Sequence, residues 1–288
     1  MKEIATIKGI VIKSRSKEFI VLSGGKEYTC AARGNLKMKD KKLITGDKVE
    51  FENGVITKIL DRTTCIGRPR VANVDVVNIV IANAPQPDFM LIDKMIIECV
   101  KSNIAVYITI NKCDQDKTLA QYVLDNYKNA VDKIYLVSAV TGEGVQSLID
   151  DLRGKLCSLA GQSAVGKTSL CNWIFTKKEA VNTLSLKTER GRHTTTSREI
   201  HYQDDLFIVD TPGFSSFDIQ SVNSYDLMNY YKDFAPFNGK CYYIGCMHIA
   251  EPDCLVKNAL SSGEISQDRY NRYLAIYKEI KEYEKRKY

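Results

Sequence analysis

The pattern of apolar and polar positions divides the chain into three parts of different texture. The first part, up to about residue 64, contains short β-rich stretches separated by turn formers such as Gly24-Gly25 and Asn53-Gly54. The stretches are Ile4–Lys13, Glu18–Ser23, Lys26–Ala32, Asp47–Phe51 and Gly54–Leu60. Five short strands within about 60 residues predict a small five-stranded β-barrel of the OB type.

From about residue 70, continuous apolar runs alternate with amphipathic segments. The apolar runs are Val76–Ala82, Ile104–Ile110, Ile134–Ser138, Leu156–Ala160 and Leu206–Asp210. Runs that are apolar throughout indicate strands buried on both faces, as in a parallel sheet. The segments predicted as helices are Phe89–Ser102, Leu119–Asn129, Val145–Arg153 and Thr168–Thr176. This alternation predicts a doubly wound α/β sheet, whose ligand lies beyond the carboxyl ends of the strands.

After about residue 222 the alternation stops. A Tyr-rich stretch leads to a cluster of cysteines, and Glu264–Tyr288 is predicted to form one long charged helix. One stripe of that helix carries Tyr270, Tyr273, Leu274, Tyr277 and Ile280. We expect the stripe to pack onto its own domain, with a partner-binding face as the alternative. The predicted fold is a multidomain α/β protein with domains over residues 1–64, 65–222 and 223–288.

Composition narrows the class of protein. Of the 288 residues, 44% are apolar, which is usual for globular chains. No run approaches the ~18–20 apolar residues that cross a bilayer. The start of the chain, Met1-Lys2-Glu3-Ile4, lacks the apolar core of a secretory signal. We therefore expect a cytoplasmic protein whose nine cysteines are not paired in disulfides.

The net charge of +6 is concentrated at one end of the chain. Residues 1–64 hold 14 Lys/Arg and 8 Asp/Glu, whereas the remaining residues hold 27 of each sign. A basic surplus in one OB-type module predicts a nucleic-acid partner, because neutralising phosphates releases counterions. Solubilising charge is the alternative. The loop from Arg33 to Lys42 is predicted to grip phosphate, unless it is simply solvated.

A glycine-rich loop follows the apolar run that ends at residue 160. Residues 161–168 read GQSAVGKT, which fits G-x-x-x-x-G-K-[ST] without a gap, and a predicted helix comes next. Glycines let backbone N–H groups turn inward around phosphates, and the helix N-terminus adds a positive dipole end. We expect Lys167 to bridge the terminal phosphates and the Thr168 hydroxyl to bind Mg²⁺.

A second motif carries base specificity. Residues 111–114 read NKCD, the N-K-x-D signature with which GTPases read guanine. The Asp114 carboxylate can accept both the ring N–H and the exocyclic amine of guanine, a pair that adenine does not offer. We expect Asn111 to reach the other edge of the base. Lys112 is expected to lay its methylenes on the ring.

The motifs occur in a rotated order. In an ordinary small GTPase the phosphate loop comes first and the base-reading loop lies near the end. Here the base reader precedes the phosphate loop, and Ser138-Ala139, whose Ala139 backbone should meet the guanine carbonyl, follows the base reader. Asp210 begins D-x-x-G and should hold Mg²⁺ through water, while the Gly213 N–H should sense the γ-phosphate. Four elements in one consistent rotation predict a circularly permuted P-loop GTPase.

The groups that drive hydrolysis are harder to assign. One threonine of Thr194-Thr195-Thr196 should complete the Mg²⁺ shell, and the residues themselves do not choose among the three; Thr195 is the working candidate. Phe214 stands where many GTPases carry a water-orienting glutamine, so intrinsic hydrolysis should be slow unless a partner brings in a group such as His193. The catalytic candidates are His193, Thr195 and Lys167.

The predicted nucleotide-binding residues are Asn111, Lys112, Asp114, Ser138, Ala139, Gly161, Gln162, Ser163, Ala164, Val165, Gly166, Lys167, Thr168, Ser169, Asp210 and Gly213.

A cluster of metal-ligand residues lies near the end of the chain. Cys241, Cys246, His248 and Cys254 give the spacing C-x4-C-x-H-x5-C. Three thiolates and one imidazole make a closed tetrahedral set, which is typical of structural zinc. Such a cluster favours zinc over three buried thiols beside a surface histidine. Zinc would then supply much of the stability of this domain.

With these residues assembled, the chain resembles the RsgA (YjeQ/YloQ) family of circularly permuted GTPases over essentially its whole length. The most specific segments are GRHTTT at residues 191–196 and GCMHIAEPDC at residues 245–254, and residues 30–34 and 71–75 also match. His193 matches the family histidine suggested to replace the missing glutamine. Ala164 is a departure, because the family usually has glycine there.

The resemblance implies GTP or GDP, Mg²⁺ and one structural Zn²⁺ as cofactors. It implies a monomer without a membrane partner that binds the small ribosomal subunit and its ribosomal RNA, and assists late maturation. The ribosome would stimulate hydrolysis, and GDP would promote release. A permuted GTPase of the large subunit is one alternative, although the zinc domain argues against it. A non-enzymatic RNA-binding adaptor, in which nucleotide only stabilises the fold, is the other.

Overall fold

The computed structural model describes residues 6–15, 18–33, 42–66, 70–176, 199–210 and 221–286. Its first part is a closed five-stranded barrel. The strands are β1 (Ile7–Arg15), β2 (Glu18–Ser23), β3 (Lys26–Ala32), β4 (Lys48–Glu52) and β5 (Val55–Ile59). Their order is β1-β2-β3-β5-β4, and β4 returns to pair with β1. The predicted five-stranded barrel is confirmed.

Alternating side chains fill this barrel. Along β4, Val49 and Phe51 are buried, whereas Lys48 is exposed and Glu50 is half-buried. This period of two is what a curved sheet with one buried face requires. The core consists of Val11, Val21, Cys30, Leu43, Val49, Phe51 and Ile56.

A small hairpin joins the barrel to the rest of the molecule. It pairs β6 (Cys65–Ile66) with β7 (Val71–Ala72). Gly46 of the barrel has φ +89° and approaches the hairpin so closely that a Cβ there would lie 2.1 Å from the Ala72 carbonyl oxygen. Only glycine fits at that point. The sequence did not predict this hairpin, because a two-residue strand carries no readable pattern.

Six strands form the central sheet. They are β8 (Val76–Ile81), β9 (Ala105–Ile110), β10 (Lys133–Leu136), β11 (Leu156–Ala160), β12 (Ile200–Gln203) and β13 (Leu206–Asp210). Their order is β10-β9-β8-β11-β13-β12, with parallel pairing except for β12, which is antiparallel to β13. Every residue of β8 and β11 is buried, which explains why these strands read as continuous apolar runs. The parallel sheet is confirmed, and β12 is an addition.

Four helices accompany the sheet. They are α1 (Phe89–Lys101), α2 (Thr118–Tyr127), α3 (Val145–Leu152) and α4 (Lys167–Thr176). Helix α1 begins after Asp88, whose carboxylate accepts a hydrogen bond from the Leu91 N–H at 3.0 Å. This N-cap satisfies one of the free N–H groups of the first turn.

The parallel register aligns the strand ends. Ile81 pairs with Ile110 at the ends of β8 and β9, and Leu159 of β11 pairs with Asp210 of β13. The loops that follow β8, β9 and β11 therefore open at one edge of the sheet, where β13 also ends. A ligand of such a sheet binds at this edge.

The last part of the chain is helical. It contains a short 3-10 helix (Leu227–Tyr230), α5 (Leu255–Ser261) and α6 (Gln267–Arg286). The predicted stripe on α6 packs inward, and the ring of Tyr273 lies 5.0 Å from that of Phe234 and 5.1 Å from that of Tyr231. Among the helices that the described ranges contain, none has both the length and the apolar character to cross a bilayer.

A buried charge network, formed by Asp93, Asp233, Arg269 and Arg272, joins α6 to α1. Arg269 Nη1 lies 2.6 Å from Asp93 Oδ1, and Arg272 Nε lies 2.6 Å from Asp93 Oδ2. Arg269 Nη2 also lies 3.0 Å from Asp233 Oδ1. Burial by itself lowers the pKa of Arg269, but the attraction of Asp93 and Asp233 outweighs it and holds that pKa well above its ordinary value. The two guanidinium charges are thereby balanced by two carboxylates.

The barrel contacts the far edge of the sheet through β12. Lys13 of β1 forms an ion pair with Glu199, and the two residues also share an isolated backbone bridge. The Tyr202 hydroxyl donates to Glu27 Oε1 at 3.1 Å. Strand β12 thus lies between the barrel and β13.

The Asp93 network predicts a large loss of stability when one carboxylate is removed. In Asp93→Asn, Arg272 loses the carboxylate that it contacts while staying largely buried, so we expect the free energy of unfolding to fall by about 3 kcal/mol. Urea unfolding measures this. The matched control is Glu279→Gln, which breaks the Lys94–Glu279 pair of the same helices, where Glu279 is 51% exposed. It should cost less than about 1 kcal/mol. Equal losses of stability in the two variants would contradict the prediction that the buried network stabilises the fold more than the exposed ion pair does.

Candidate functional site

The phosphate loop leaves β11 through two positions that require glycine. Gly161 has φ +123°, and a Cβ there would lie 2.1 Å from the Val80 carbonyl oxygen. Gly166 has φ +96°, and its Cβ would lie 2.3 Å from Asn111 Nδ2. Side chains at either position would collide with these groups and strain the backbone. The glycines therefore hold the loop against β8 and against the residue that follows β9.

Lys167 folds back over this loop from the first residue of α4. Its Nζ donates to the carbonyl oxygens of Gly161 at 2.8 Å and Gln162 at 2.6 Å. A phosphate would offer the ammonium group charged acceptors in place of these neutral ones. Thr168 and Ser169 are exposed in the first turn of α4, where the helix dipole favours anions. The arrangement can accept phosphate and leaves the Thr168 hydroxyl accessible to Mg²⁺.

Ala164 adopts the left-handed backbone conformation, with φ +64°. This conformation costs an L-residue about 1–2 kcal/mol relative to the right-handed one. Its neighbour Ser163 is exposed, whereas Val165 is buried in the core of the sheet. The alanine therefore keeps the turn that the loop needs, at the expense of local strain that glycine would not have.

Asn111 ties the phosphate loop to the loop after β10. Its Nδ2 donates to the Val165 carbonyl oxygen at 3.0 Å, and its Oδ1 accepts the Ala139 N–H at 3.0 Å. The side chain is buried. Both ends of the amide are thus engaged by the protein, so the contact of Asn111 with a base edge stays a prediction.

Lys112 and Asp114 lie beside that link. Lys112 has φ +65°, and its Nζ donates to the carbonyl oxygens of Ala84 at 2.7 Å and Ala164 at 3.0 Å. These bonds stretch the lysine stem across the edge of the sheet. Asp114 is exposed, while the preceding Cys113 is buried and its N–H donates to Val137. The carboxylate of Asp114 is therefore presented to solvent, where a base could meet it.

The loop after β10 is held by its own hydrogen bonds. Ser138 Oγ accepts the N–H groups of Val140 at 3.2 Å and Thr141 at 3.1 Å. The Gly142 N–H donates to the Ser138 carbonyl oxygen at 2.8 Å, and the Ser138 N–H donates to Glu143. Hydrogen bonds of this kind fix a loop without secondary structure. They place Ser138 and Ala139 beside Asn111, as the permuted motif order requires.

Several predicted residues fall outside the described ranges. Asp210 ends β13 at the same edge of the sheet, although its side chain is not described. Outside the described ranges lie His193, Thr194, Thr195, Thr196, Gly213 and Phe214. Their roles stay predictions.

The sequence did not reveal the contact between Gln162 and the start of α1. Gln162 Oε1 accepts the Asp88 N–H at 3.0 Å. Asp88 also caps α1, so the phosphate loop is bonded to the helix that carries Asp93. The two residues are 74 positions apart, and no motif spans them. Only the fold brings them together.

The four predicted metal ligands converge at one point. The ligand atoms of Cys241, Cys246, His248 and Cys254 all lie within 4.8 Å of one another. His248 Nδ1 lies 3.6, 3.4 and 3.3 Å from the sulfurs of Cys241, Cys246 and Cys254. A tetrahedral zinc with ordinary bond lengths separates nitrogen from sulfur by about 3.6 Å. The cluster therefore has the donor set and spacing that a structural zinc needs.

Groups around the cluster orient the ligands. Asn238 Oδ1 lies 2.8 Å from His248 Nε2, which leaves Nδ1 facing the sulfurs. The Leu255 N–H donates to Cys241 Sγ at 3.4 Å, and the Tyr270 hydroxyl donates to the His248 carbonyl oxygen at 2.7 Å. Such contacts outside the ligand set fix ring orientation and stabilise thiolate.

The electrostatics of the cluster call for a cation. Burial raises the pKa of Cys246 to about 12 and raises that of Cys254. Burial also lowers the pKa of His248, which keeps the imidazole neutral and able to bind a metal. Thiolates in this setting need a positive charge between them, which a zinc ion supplies.

Comparison with known proteins gives agreement over nearly the whole chain. Residues 59–220 match the RsgA GTPase family, and residues 8–57 match the RsgA N-terminal domain. A protein of Ruminiclostridium cellulolyticum named small ribosomal subunit biogenesis GTPase RsgA is 36% identical, over 95% of this chain and 94% of that protein. One of the same name from Thermotoga petrophila is 34% identical, over 95% of this chain and 96% of that protein.

Solved structures agree with the sequence relatives. The crystal structure of YjeQ from Thermotoga maritima superposes with a TM-score of 0.82 at 31% identity, covering 96% of this chain and 99% of that one. YloQ, described as a circularly permuted GTPase, superposes with a TM-score of 0.80 at 27% identity, covering 96% of each chain. With its barrel, permuted nucleotide loops and Cys3His cluster, the chain belongs to the RsgA GTPase family.

Proposed function

We propose that this chain binds GTP or GDP with Mg²⁺ and hydrolyses GTP. The observation that carries the proposal is the Asn111 link, because it joins the phosphate loop to Ser138-Ala139 and so makes one site from motifs in permuted order. Lys167 and the start of α4 bind the phosphates, and Thr168 with Asp210 holds Mg²⁺. Asp114 reads guanine. When bound, Mg²⁺ neutralises charge on the phosphates.

Hydrolysis needs a group that orients water. Phe214 cannot do so by hydrogen bonding, so we propose His193 for this role and Thr195 for the last Mg²⁺ position. Both follow α4 in the chain and precede β12, the interval in which GTPases carry these groups. Because Phe214 stands in the usual glutamine position, we expect intrinsic hydrolysis to be slow until a partner brings a group such as His193 to the water.

The proposed target is the small ribosomal subunit. Relatives that match nearly the whole chain are named small ribosomal subunit biogenesis GTPase RsgA. The basic surplus within residues 1–64 supports ribosomal RNA as the polyanion that the barrel binds. In this scheme a monomer acts in the cytoplasm during late maturation, the subunit stimulates hydrolysis, and the GDP form leaves.

We further propose three domains and one structural metal ion. The limits are 1–64 for the RNA-binding barrel, 65–222 for the GTPase domain and 223–288 for the zinc domain. One structural zinc is bound by Cys241, Cys246, His248 and Cys254. Cys246 and Cys254 belong to the buried core of this domain, so we expect metal binding there to contribute to its folding energy.

Replacing Asp114 by Asn tests base recognition. The amide cannot accept both N–H groups of guanine, so GDP affinity should fall on the order of 100-fold, and xanthine nucleotide should be preferred. Competition against a fluorescent nucleotide measures both. Asp116→Asn is the control, because Asp116 is a nearby exposed carboxylate that accepts hydrogen bonds from Thr118 at the start of α2. An unchanged preference in Asp114→Asn would refute the base assignment.

Zinc removal tests the metal site. We expect the native chain to contain one zinc ion, and Cys246→Ser to lose it together with thermal stability. Metal analysis and a thermal melt measure the two effects. Cys157→Ser is the control, since Cys157 is equally buried but lies in β11, away from the cluster. If both variants retain zinc alike, the ligand assignment fails.

Measuring phosphate release from GTP tests whether the small ribosomal subunit is the target. GTP turnover should rise by at least about tenfold with purified small subunits and stay unchanged with large subunits. Lys167→Ala should abolish turnover in both cases. Tight GTP binding without stimulation would favour the adaptor hypothesis. If only large subunits stimulated GTP turnover, the large subunit would be the target instead.

A further inference from the structure

The single tryptophan of the chain contacts both the core beside the phosphate loop and the loop after β10. Trp173 stands on α4, six residues after Lys167, which corresponds to about 9 Å along the helix axis. It is half-buried and packs against the sheet-domain core that also contains Val165 and Leu170. One side of its indole is therefore anchored in the structure that positions the phosphate loop.

The indole also contacts Gly142, which lies in the loop after β10. A Cβ built on Gly142 would lie 2.3 Å from Trp173 Cζ2, 2.8 Å from Cε2 and 3.0 Å from Nε1. Gly142 has φ +85°. The nitrogen-bearing edge of the ring is thus in direct contact with loop backbone, and no side chain at residue 142 could stand between them.

Gly142 transmits this contact to the loop that carries Ala139. Its N–H donates to the Ser138 carbonyl oxygen at 2.8 Å, so residues 138–142 form one closed turn. Ala139 directly follows Ser138, and its N–H already donates to Asn111 Oδ1 at 3.0 Å. The guanine 6-oxo atom is proposed to meet the same N–H as a second acceptor. A shift of Gly142 therefore moves the Ala139 N–H relative to the base.

We infer that Trp173 is a positioning residue for guanine recognition. It fixes the distance between the turn 138–142 and the phosphate loop. The inference rests on the proposed nucleotide site. Asn111 ties the same turn to Val165 from the strand side, whereas Trp173 holds it from the helix side. With two supports, the Ala139 N–H is fixed before the base arrives, which spares the ordering cost at binding.

The test compares Trp173→Ala with Phe175→Ala in the full chain. Phe175 is an aromatic residue of the same helix and the same core, and its ring centroid lies 6.1 Å from that of His201 in β12. Competition against a fluorescent guanine nucleotide gives the affinities for GDP, 6-thio-GDP and ADP, and a thermal melt gives stability. The 6-thio analogue changes only the atom that Ala139 is proposed to contact.

We expect Trp173→Ala to weaken GDP about fivefold to tenfold and to reduce the preference for GDP over 6-thio-GDP by at least about threefold. Phe175→Ala should lower the melting temperature comparably but leave both quantities within about twofold. If Trp173→Ala loses only stability and keeps the affinity and preference, the inference is overturned. A native chain that does not prefer GDP to ADP would instead overturn the proposed function.

A double-mutant cycle with Gly142→Ala gives a second test. The strain of φ +85° is common to all backgrounds, whereas the clash with the indole exists only when Trp173 is present. The loss of GDP affinity caused by Gly142→Ala should therefore shrink by at least about threefold in Trp173→Ala. Equal losses in both backgrounds would contradict the inference. Trp173→Phe replaces Trp173→Ala in the cycle if the latter does not fold.

Discussion

Asn111 holds the nucleotide site together with one buried amide. Its Nδ2 and Oδ1 bond to Val165 and Ala139, which belong to loops that follow different strands. The contact is possible because β8, β9, β10 and β11 run parallel and end at the same edge of the sheet. Chain order does not matter to this geometry. A sheet with the same strand neighbours builds the same site from either order of its loops.

Much of the fold could be predicted, because its signals are local. Buried parallel strands such as Val76–Ile81 read as apolar runs, and the glycines at 161 and 166 mark turns that a Cβ would block. The contacts between parts could not be predicted, since Gln162 with Asp88 and Arg269 with Asp93 are separated by 74 and 176 positions. No periodicity encodes such pairs. Strand β12 and the β6–β7 hairpin were missed because short strands lack a pattern.

Helix α1 connects the candidate nucleotide site to the Cys3His cluster. At its start, Asp88 bonds to Gln162 of the phosphate loop, and one turn later Asp93 enters the buried charge network. From there Arg269 reaches Asp233, and Tyr270 next to it bonds to the backbone of His248. The contact between Asp88 and Gln162 is exposed, whereas the contacts of Arg269 and Tyr270 are buried. The C-terminal helices are therefore built onto the GTPase sheet, rather than attached by a linker alone.

The burial of the Asp93 network also determines how the molecule responds to dissolved ions. Ions in solution screen exposed pairs such as Lys94–Glu279 but hardly reach charges enclosed by protein. Contacts between a basic barrel and a phosphate backbone weaken steeply as ionic strength rises. Concentrated salt will therefore weaken the proposed binding to a polyanion, whereas the contacts between α1 and α6 persist.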